Sequence, residues 1–333
     1  MFLFGLAKGP SGLDPLLLLL LALLIDTVAG PSLSSRSLAL HPLNGFAALV
    51  RWCDRKLNRE RRSATTRARR GALVVLMLVV FGGAFGWAVA WAARAVPHGF
   101  LLELVAIVLL IDQRAVHEHV RRVGAALVGE SLGAARDRLN AIGGIGAGRL
   151  DAHAVARTAI EISARSFAYG VVAPAFWYML FGLPGLCVLR AVAVIDDVVG
   201  EPTDRNRAFG FVASRLNEVL VLIPAPIAGM LLLAASLFVP TTQPKRAARA
   251  MLGRAGPYRS RAMGWPVGAM AGALGLALAG PRHGAAHTAA TPWIDAGTAQ
   301  ATPLDVRRAL FLFTVACLIN GACIAGIALA RLT

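Results

Sequence analysis

Two adjacent aspartates, Asp196 and Asp197, follow an apolar stretch and begin a polar patch whose residue types could do chemistry. The patch and the helical segment after it contain further acids and arginines, namely Glu201, Asp204, Arg205, Arg207, Arg215 and Glu218. Carboxylates are the hard oxygen ligands that Mg²⁺ prefers, and arginines bind phosphate groups as bidentate donors. The patch fits a site for Mg²⁺ and nucleotide phosphates, but clusters of charge beside membrane helices also occur without any ligand.

A second group of charges lies upstream, at four-residue spacing: His153, Arg157, Glu161 and Arg165. This spacing places them on one face of a helix. On spacing alone, the stronger interpretation is a solvated helix on which each pair of opposite sign adds roughly a few tenths of a kcal/mol. The alternative is chemistry, because polar groups at the ends of apolar helices are where membrane proteins carry it out.

The apolar segment between these two groups is interrupted by Pro174 and by the run Gly182-Leu183-Pro184-Gly185, and it leads into Arg190. Proline and glycine both disfavour a regular helix interior. We therefore expect a broken helical segment that separates the two groups of charges.

The composition indicates a membrane protein. Of the 333 residues, 57% are hydrophobic, and the mean hydropathy is +0.64. Several apolar runs approach the length of about 20 residues that crosses a bilayer as a helix. The net charge of +16 fits membrane orientation and contact with anionic lipid. We expect no nucleic-acid partner, because the basic runs lack the interleaved aromatic residues that stack on bases.

The predicted fold is an all-α, polytopic integral membrane bundle with amphipathic helices between the spans, in a single domain covering residues 1–333. The expected spans are 15–30, 72–93, 170–190, 219–239, 264–280 and 309–330, and the amphipathic helical region is 112–168. Two basic loops, 51–70 with nine Lys or Arg residues and 245–261 with six, are expected on the cytoplasmic side. In the second span, Gly82, Gly83 and Gly86 leave room for a neighbouring helix to approach closely.

Four stretches, taken together, resemble the integral-membrane adenosylcobinamide-phosphate synthases of cobalamin biosynthesis. They are LLLLALLIDTVAG with His41-Pro42; GVVAPAFWYMLFGLPG with Arg190 and Asp196; Arg207, Phe209-Gly210 and Arg215; and Gly264-Trp265-Pro266 running into AMAGALG and Gly280-Pro281. Their order and spacing cover nearly the whole chain.

The resemblance implies a reaction in which ATP and Mg²⁺ activate the carboxylate of adenosylcobyric acid, and the amine of aminopropanol or its phosphate forms an amide. The implied partners are this corrinoid, the amino-alcohol, membrane lipid and other enzymes of the pathway, and the implied location is the inner membrane, crossed several times. The implied catalytic residues are Arg157, Glu161 and Asp196, and the implied ATP-binding residues are Arg190, Arg207 and Arg215. We also expect the helix that carries Arg157 and Glu161 to bring them towards Asp196.

Several polar positions depart from the family pattern. Gly144-Ile145-Gly146-Ala147 stands where a Gly-Arg-Asp-Thr run is expected, and Asn217 replaces an aspartate. Asp197, which the pattern lacks, is the natural substitute for the acid lost at Gly146, so Asp196 and Asp197 are the expected metal ligands. Adjacent helical residues diverge by about 100°, so both reach one ion only if the chain turns irregularly near Gly200.

Retained scaffold motifs with replaced polar motifs leave two hypotheses of different class open. One is the amide synthase; the other is a catalytically silent homologue that serves as a membrane scaffold or signalling component. A transporter is the weaker third hypothesis, because the sequence shows no inverted repeat.

Overall fold

The structure is a computed structural model that describes residues 14–29, 42–143, 146–200, 203, 205–253, 262–280, 292–295 and 297–331. These residues are helical apart from short connections and one antiparallel pair of two-residue strands, β1 (Leu278–Ala279) and β2 (Trp293–Ile294). The all-α prediction is therefore confirmed.

The helices vary widely in length, from a single turn to more than seven turns. In chain order they are α1 (Pro15–Ala29), α2 (Pro42–Leu57), α3 (Ala64–Ala95), α4 (Phe100–Leu110), α5 (Gln113–Gly129), α6 (Leu132–Gly143), a 3₁₀ turn (Ala147–Arg149), α7 (Ala152–Phe167), a π-helical turn (Ala168–Val172), α8 (Ala173–Val199), α9 (Asn206–Phe209), α10 (Phe211–Val221), α11 (Pro224–Ala235), α12 (Pro244–Gly253), α13 (Gly264–Leu274) and α14 (Pro303–Ala330).

The chain divides into two compact units, each assembled from segments that are distant in sequence. Unit 1 comprises Met1–Asp112, Ala173–Val221 and Ile324–Thr333, and unit 2 comprises Gln113–Val172 and Leu222–Cys323. The single domain of residues 1–333 stays a prediction.

Among the described residues, three helical stretches are long and apolar enough to cross a membrane: Ala64–Ala95, Ala152–Val199 and Pro303–Ala330. The pair α10 and α11 passes the same test together, with a bend of 47° between them, and makes a fourth span if counted as one. The length and hydropathy of these helices are those of a helical membrane bundle.

Two of the predicted spans correspond to short helices. Helix α1 has 15 residues, and α13 has 11 before Gly275 ends it in the left-handed conformation at φ 71°. At about 1.5 Å per residue, 11 residues reach about 17 Å, well short of a hydrocarbon core of about 30 Å. Helix α13 alone is therefore too short to cross the membrane, and the span expected at 264–280 stays a prediction.

The described parts of the basic segments are largely helical rather than loops. Helix α2 runs to Leu57 and α3 begins at Ala64, so only a short turn separates them within the predicted loop 51–70. In the second segment, α12 covers Pro244–Gly253, and residues 254–261 lie outside the described part of the chain. The amphipathic region, by contrast, is helical as predicted, in α5, α6 and α7.

Unit 1 is built on the packing of α3 along α8. A Cβ atom added to Gly82 would lie 3.1 Å from the Cβ of Ala191, and one added to Gly86 would lie 2.8 Å from the Cα of Pro184. The glycines of α3 therefore allow α8 to approach at backbone distance, as predicted. The opposite face of α3 exposes large apolar side chains, which suit contact with lipid: Leu73, Leu76, Met77, Val80, Phe81, Phe85, Trp87 and Trp91.

The predicted interruptions in the long helix are present. The π-helical turn Ala168–Val172 precedes Pro174, whose ring cannot donate the hydrogen bond of a regular turn. Gly182 takes φ 65° and ψ −154°, a conformation that is essentially restricted to glycine, and it kinks α8. The helix nevertheless continues through Arg190 to Val199.

In unit 2, helix α13 is the centre, packed between α11 and α12 and against α7. It is buried along its length, and its glycines admit the backbone of α12: a Cβ atom at Gly272 would lie 2.7 Å from the Cα of Ala247. Phe167 at the end of α7 packs edge-to-face on Phe313 of α14, with ring centroids 5.6 Å apart. Helix α7 is thus a core helix, not a solvated one.

Candidate functional site

Asp196 is held by two side chains of α10. The hydroxyl of Ser214 donates to Asp196 Oδ1 at 2.6 Å, and the amide of the buried Asn217 donates to Asp196 Oδ2 at 2.7 Å. A side chain at Gly200 would collide with Asp196 Oδ1, so glycine at that position leaves space for the carboxylate. We call Asp196, Ser214 and Asn217 the aspartate cluster.

Asp197 lies on another face of α8. Helix α8 stays regular here, since the amide of Gly200 donates to the carbonyl of Asp196 at 2.8 Å. The exposed side chain of Asp197 therefore points about 100° away from Asp196. The expected irregular turn is absent before Gly200, so the two carboxylates do not face one ion.

Asp196 has lone-pair positions left over that could bind a Mg²⁺ ion. Each carboxylate oxygen has two lone-pair positions, and one hydrogen bond to each oxygen leaves room for a ligand bond. Mg²⁺ commonly takes one or two protein carboxylates and completes its shell with water and substrate phosphates. Among the described residues, no group of three or more His, Cys, Asp or Glu side chains is gathered for a metal ion.

Arg207 lies on α9, a single helical turn that a buried polar network fixes to the α2–α3 turn. Asn58 Nδ2 donates to Asn206 Oδ1 at 3.2 Å, and Arg67 Nε donates to Asn58 Oδ1 at 2.8 Å. Arg67 also donates to the carbonyl of Arg205. Because this network holds the backbone, the exposed guanidinium of Arg207 is presented from a fixed position.

Arg215 lies within the segment that supplies the aspartate cluster, but its side chain is on the outer face of α10. Its guanidinium donates to Glu218 at 2.7 Å and lies over the ring of Phe211 at 5.5 Å. With 65% of the side chain exposed, this ion pair is weak and easily exchanged for another anion.

Arg190 differs from both, because its charge is buried and already neutralised. Its guanidinium lies 3.0 Å from the Asp112 carboxylate and donates to the carbonyl of Leu110 at the end of α4. The exposed fraction is 5% for the Arg190 side chain and 15% for that of Asp112. The arginine predicted to bind ATP therefore ties α8 to the end of α4.

Arg157 and Glu161 lie one turn apart on α7 in unit 2. The guanidinium of Arg157 donates to the carbonyl of Ala299 and lies over the ring of Trp293 at 5.3 Å. Glu161 is buried, with 4% of its surface exposed. A stripe of solvated ion pairs is thus not what the structure shows for this face.

The predicted site residues are divided between the two units. Asp196, Asp197, Arg190, Arg207 and Arg215 belong to unit 1, whereas Arg157 and Glu161 belong to unit 2. The structure brings Asp196 against the helix of Arg215. The expected approach of Arg157 and Glu161 to Asp196 stays a prediction.

Sequence reasoning missed the partners of three of these residues. Ser214 and Asn217 have a signal, since their three-residue spacing puts both on one helix face. The sequence signal for Asp112 is weak, since it is only an acid that follows an apolar helix. Trp293, the aromatic partner of Arg157, has none, because it lies in a short strand more than 130 residues away along the chain.

Comparison with known proteins gives a consistent result. A family model described as "CobD/Cbib protein" matches residues 19–313. A relative named "Cobalamin biosynthesis protein CobD" from Sinorhizobium sp is 35% identical over 318 residues, covering 94% of this chain and 98% of the relative. Proteins of the same name from Rhizobium meliloti (strain 1021) and Rhodobacter capsulatus are 35% and 34% identical, covering 91% and 82% of this chain and 93% and 84% of their own lengths. No solved structure matches significantly.

Proposed function

Because the chain belongs to the CobD/Cbib family and therefore to cobalamin biosynthesis, we propose that it is the membrane enzyme that forms an amide on a corrinoid carboxylate. The amine comes from aminopropanol or its phosphate, and ATP with Mg²⁺ drives the reaction. The observation that carries the proposal is identity of about a third with the named relatives along nearly their entire length.

In unit 1, the proposed roles follow from exposure and pairing. Mg²⁺, when bound, supplies positive charge to the phosphate oxygens, and Asp196 is the residue that would hold it. Arg207 and Arg215 are exposed, so their guanidinium groups can bind phosphate oxygens without unfolding the unit. Arg190 acts indirectly, as a positioning residue, because its ion pair fixes the helix that carries Asp196.

In unit 2, Glu161 and Arg157 are the proposed catalytic pair. An attacking amine must lose a proton, and a carboxylate shielded from bulk water, such as Glu161, is a suitable acceptor. A guanidinium such as that of Arg157 stabilises negative charge on the acyl oxygen. Its contacts with Trp293 and Ala299 hold it in place before substrate arrives.

We also propose that the protein crosses the cell inner membrane several times, with both basic segments in the cytoplasm. The excess of Lys and Arg in residues 51–70 and 245–261 supports this orientation. Ser63 is exposed and precedes α3, so a cysteine placed there should resist an impermeant reagent in intact cells. Labelling of that cysteine from outside would contradict the orientation.

Genetic complementation tests the proposed function. The chain should restore cobalamin-dependent growth to a strain that lacks the synthase, and the Asp196→Asn variant, expressed at the same level, should not. The matched Asp197→Asn variant should restore growth, because its side chain is exposed and outside the aspartate cluster. Failure of the natural sequence to complement, with protein present in the membrane, would contradict the proposal.

The silent homologue is the second candidate, favoured by one observation. Both oxygens of Asp196 accept hydrogen bonds from neutral donors, so the carboxylate is stable without a cation. A silent scaffold would bind other proteins of the pathway while giving no turnover. Co-purification of such proteins with an inactive chain would decide for this alternative.

A further inference from the structure

Unit 2 contains a cleft of about 1080 Å³ that none of the predicted site residues lines. This volume is at the upper end of ligand pockets, which are about 300–1,000 Å³. The lining residues come from α12, the chain just before it, and the second strand: Leu237, Gln243, Pro244, Lys245, Arg246, Arg249, Ala250, Gly253, Trp293 and Asp295. We call this the basic cleft.

Positive charge in the basic cleft exceeds negative charge. Of the lining residues that the structure describes, three are cations, Lys245, Arg246 and Arg249, and one is an acid, Asp295. Arg246 and Asp295 neutralise each other, since Arg246 Nε lies 2.7 Å from Asp295 Oδ2. Lys245 and Arg249 are exposed and four residues apart, so they project from one face of α12.

A positive charge at the start of a helix destabilises that helix. The first turn of α12 contains no acid, although an acid is the favourable charge at the positive end of a helix. Lys245 stands there instead and adds positive charge where backbone amides already point outward, whereas Arg246 is paired with Asp295. An anion in the cleft would relieve this repulsion.

The cleft also has a fixed apolar wall. A side chain at Gly280 would lie 2.6 Å from the Trp293 ring, and the guanidinium of Arg157 lies over that ring at 5.3 Å. Trp293 is therefore held between neighbours, and Leu237 adds an exposed apolar side chain nearby. A ligand with a phosphate group and an organic body matches such a surface.

The arrangement of the cations in the basic cleft is more specific than membrane orientation requires. Basic residues that only set orientation act through their number near the ends of spans, whatever surface they occupy. Here the two exposed cations share one helix face and line a concavity beside a tryptophan.

We propose that the basic cleft is a binding site for a phosphate group, with Lys245 and Arg249 as its direct ligands and Trp293 as the wall for the attached organic part. The phosphate belongs either to a soluble phosphate compound or to the headgroup of an anionic lipid. The proposal goes beyond the amide-forming function and would stand if that function failed, because it concerns binding without corrinoid or turnover.

Two binding measurements on the purified full chain test it and separate the sources. In one, tripolyphosphate and ATP are titrated calorimetrically into the chain in neutral detergent. In the other, the chain is recovered from nanodiscs of mixed phosphatidylglycerol and phosphatidylcholine, and the retained phosphatidylglycerol is counted by mass spectrometry. Binding in the first arm identifies a soluble phosphate, and binding in the second arm alone identifies a lipid.

The matched variants are Lys245→Gln with Arg249→Gln, and Arg307→Gln as control. Arg307 is an exposed arginine of α14 in unit 2 that does not line the cleft. Each lost charge-assisted hydrogen bond weakens binding about tenfold or more, so the double variant should bind at least about a hundredfold more weakly. The control should change affinity less than about twofold, and an unchanged thermal midpoint verifies folding.

No binding in either arm would overturn the proposal. Equal losses in the double variant and in Arg307→Gln would overturn it as well, because they would show attraction by net charge alone. Binding that survives the double variant at full strength would place the phosphate elsewhere.

Discussion

The aspartate cluster of unit 1 and the basic cleft of unit 2 differ in whether their charged side chains have hydrogen-bonding partners or are exposed. In unit 1, Asp196 is surrounded by neutral donors and Arg190 is paired with Asp112, so buried charge is satisfied by the fold itself. In unit 2, Lys245 and Arg249 remain exposed beside a cavity after Arg246 has paired with Asp295. A charged residue in a motif that resembles the family's can thus be structural, while exposed charge in a plain basic segment can line a candidate binding site.

The sharpest test of this contrast is the stability of Arg190 variants. Arg190→Ala leaves the largely buried carboxylate of Asp112 without its arginine, and breaking a buried pair typically costs about 3–5 kcal/mol. The matched Arg207→Ala variant removes an exposed arginine and should change stability by less than about 0.5 kcal/mol. Thermal unfolding in detergent compares the two. Similar midpoints for both variants would refute the structural role of Arg190.

The activity of the aspartate cluster should depend on Asp196 far more than on Asp197. Asp196→Asn should lower turnover at least about a hundredfold, equivalent to about 2.7 kcal/mol, if the carboxylate holds Mg²⁺. Asp197→Asn should stay within about threefold of the natural chain, because its side chain is exposed on another helix face. Equal losses in the two variants would restore the two-carboxylate hypothesis.

Asn217→Asp should convert the satisfied cluster into one that needs a cation. The new carboxylate would replace the amide that now lies 2.7 Å from Asp196 Oδ2, so two negative groups would meet. Without divalent ions the variant should lose about 1–3 kcal/mol of stability, and Mg²⁺ should restore part of it. Asn217→Ala is the control, since it loses the hydrogen bond but gains no charge. A Mg²⁺ effect of the same size in both variants would contradict this interpretation.

Glu118 of α5, in unit 2, forms ion pairs with two arginines. Hydrogen bonds from Arg121 at 2.7 Å, opposed by partial burial and aided by Arg122 at 2.9 Å, lower the pKa of Glu118 to about 2. A lowered pKa in the folded state means that this stabilisation is complete above the ordinary pKa of 4.5 and is lost as the pH falls towards 2.

The effect of Glu118 should be the smallest of the four, about 1 kcal/mol, because both arginines are largely exposed. Thermal midpoints measured from pH 6 to pH 3 should fall less in Glu118→Gln than in the natural chain. Glu130→Gln, which removes the exposed pair with Arg138, is the matched control and should keep the natural pH dependence. Identical curves for the natural chain and Glu118→Gln would show that the two ion pairs contribute nothing.

Local features of the fold followed from sequence because their causes are local. Gly82 and Gly86 signalled close helix packing, and Pro174 and Gly182 signalled a broken helix, each through its own backbone chemistry. The end of helix α13 was not predicted, because Gly275, which ends it, looks like any other small residue of an apolar run.

Candidate site residues were predicted from the sequence, but the partners of their side chains were not. Asp196 was named from its type and from a family resemblance, and the structure gives it partners on α10. The pairing of Arg190 with Asp112, and of Arg157 with Trp293, joins residues 78 and 136 positions apart, which no periodicity encodes. The basic cleft was not predicted for the same reason. In the sequence, its cations indicated only the membrane orientation of the segment 245–261.

Direct assay of amide formation tests the central claim most directly. The purified chain, in detergent or nanodiscs, would receive adenosylcobyric acid, ATP, Mg²⁺ and either aminopropanol or its phosphate, and the corrinoid product would be identified by mass spectrometry. We predict an amide product that requires both ATP and the amine and that is absent with Asp196→Asn. No product from folded natural protein with either amine would contradict the synthase and leave the silent membrane homologue.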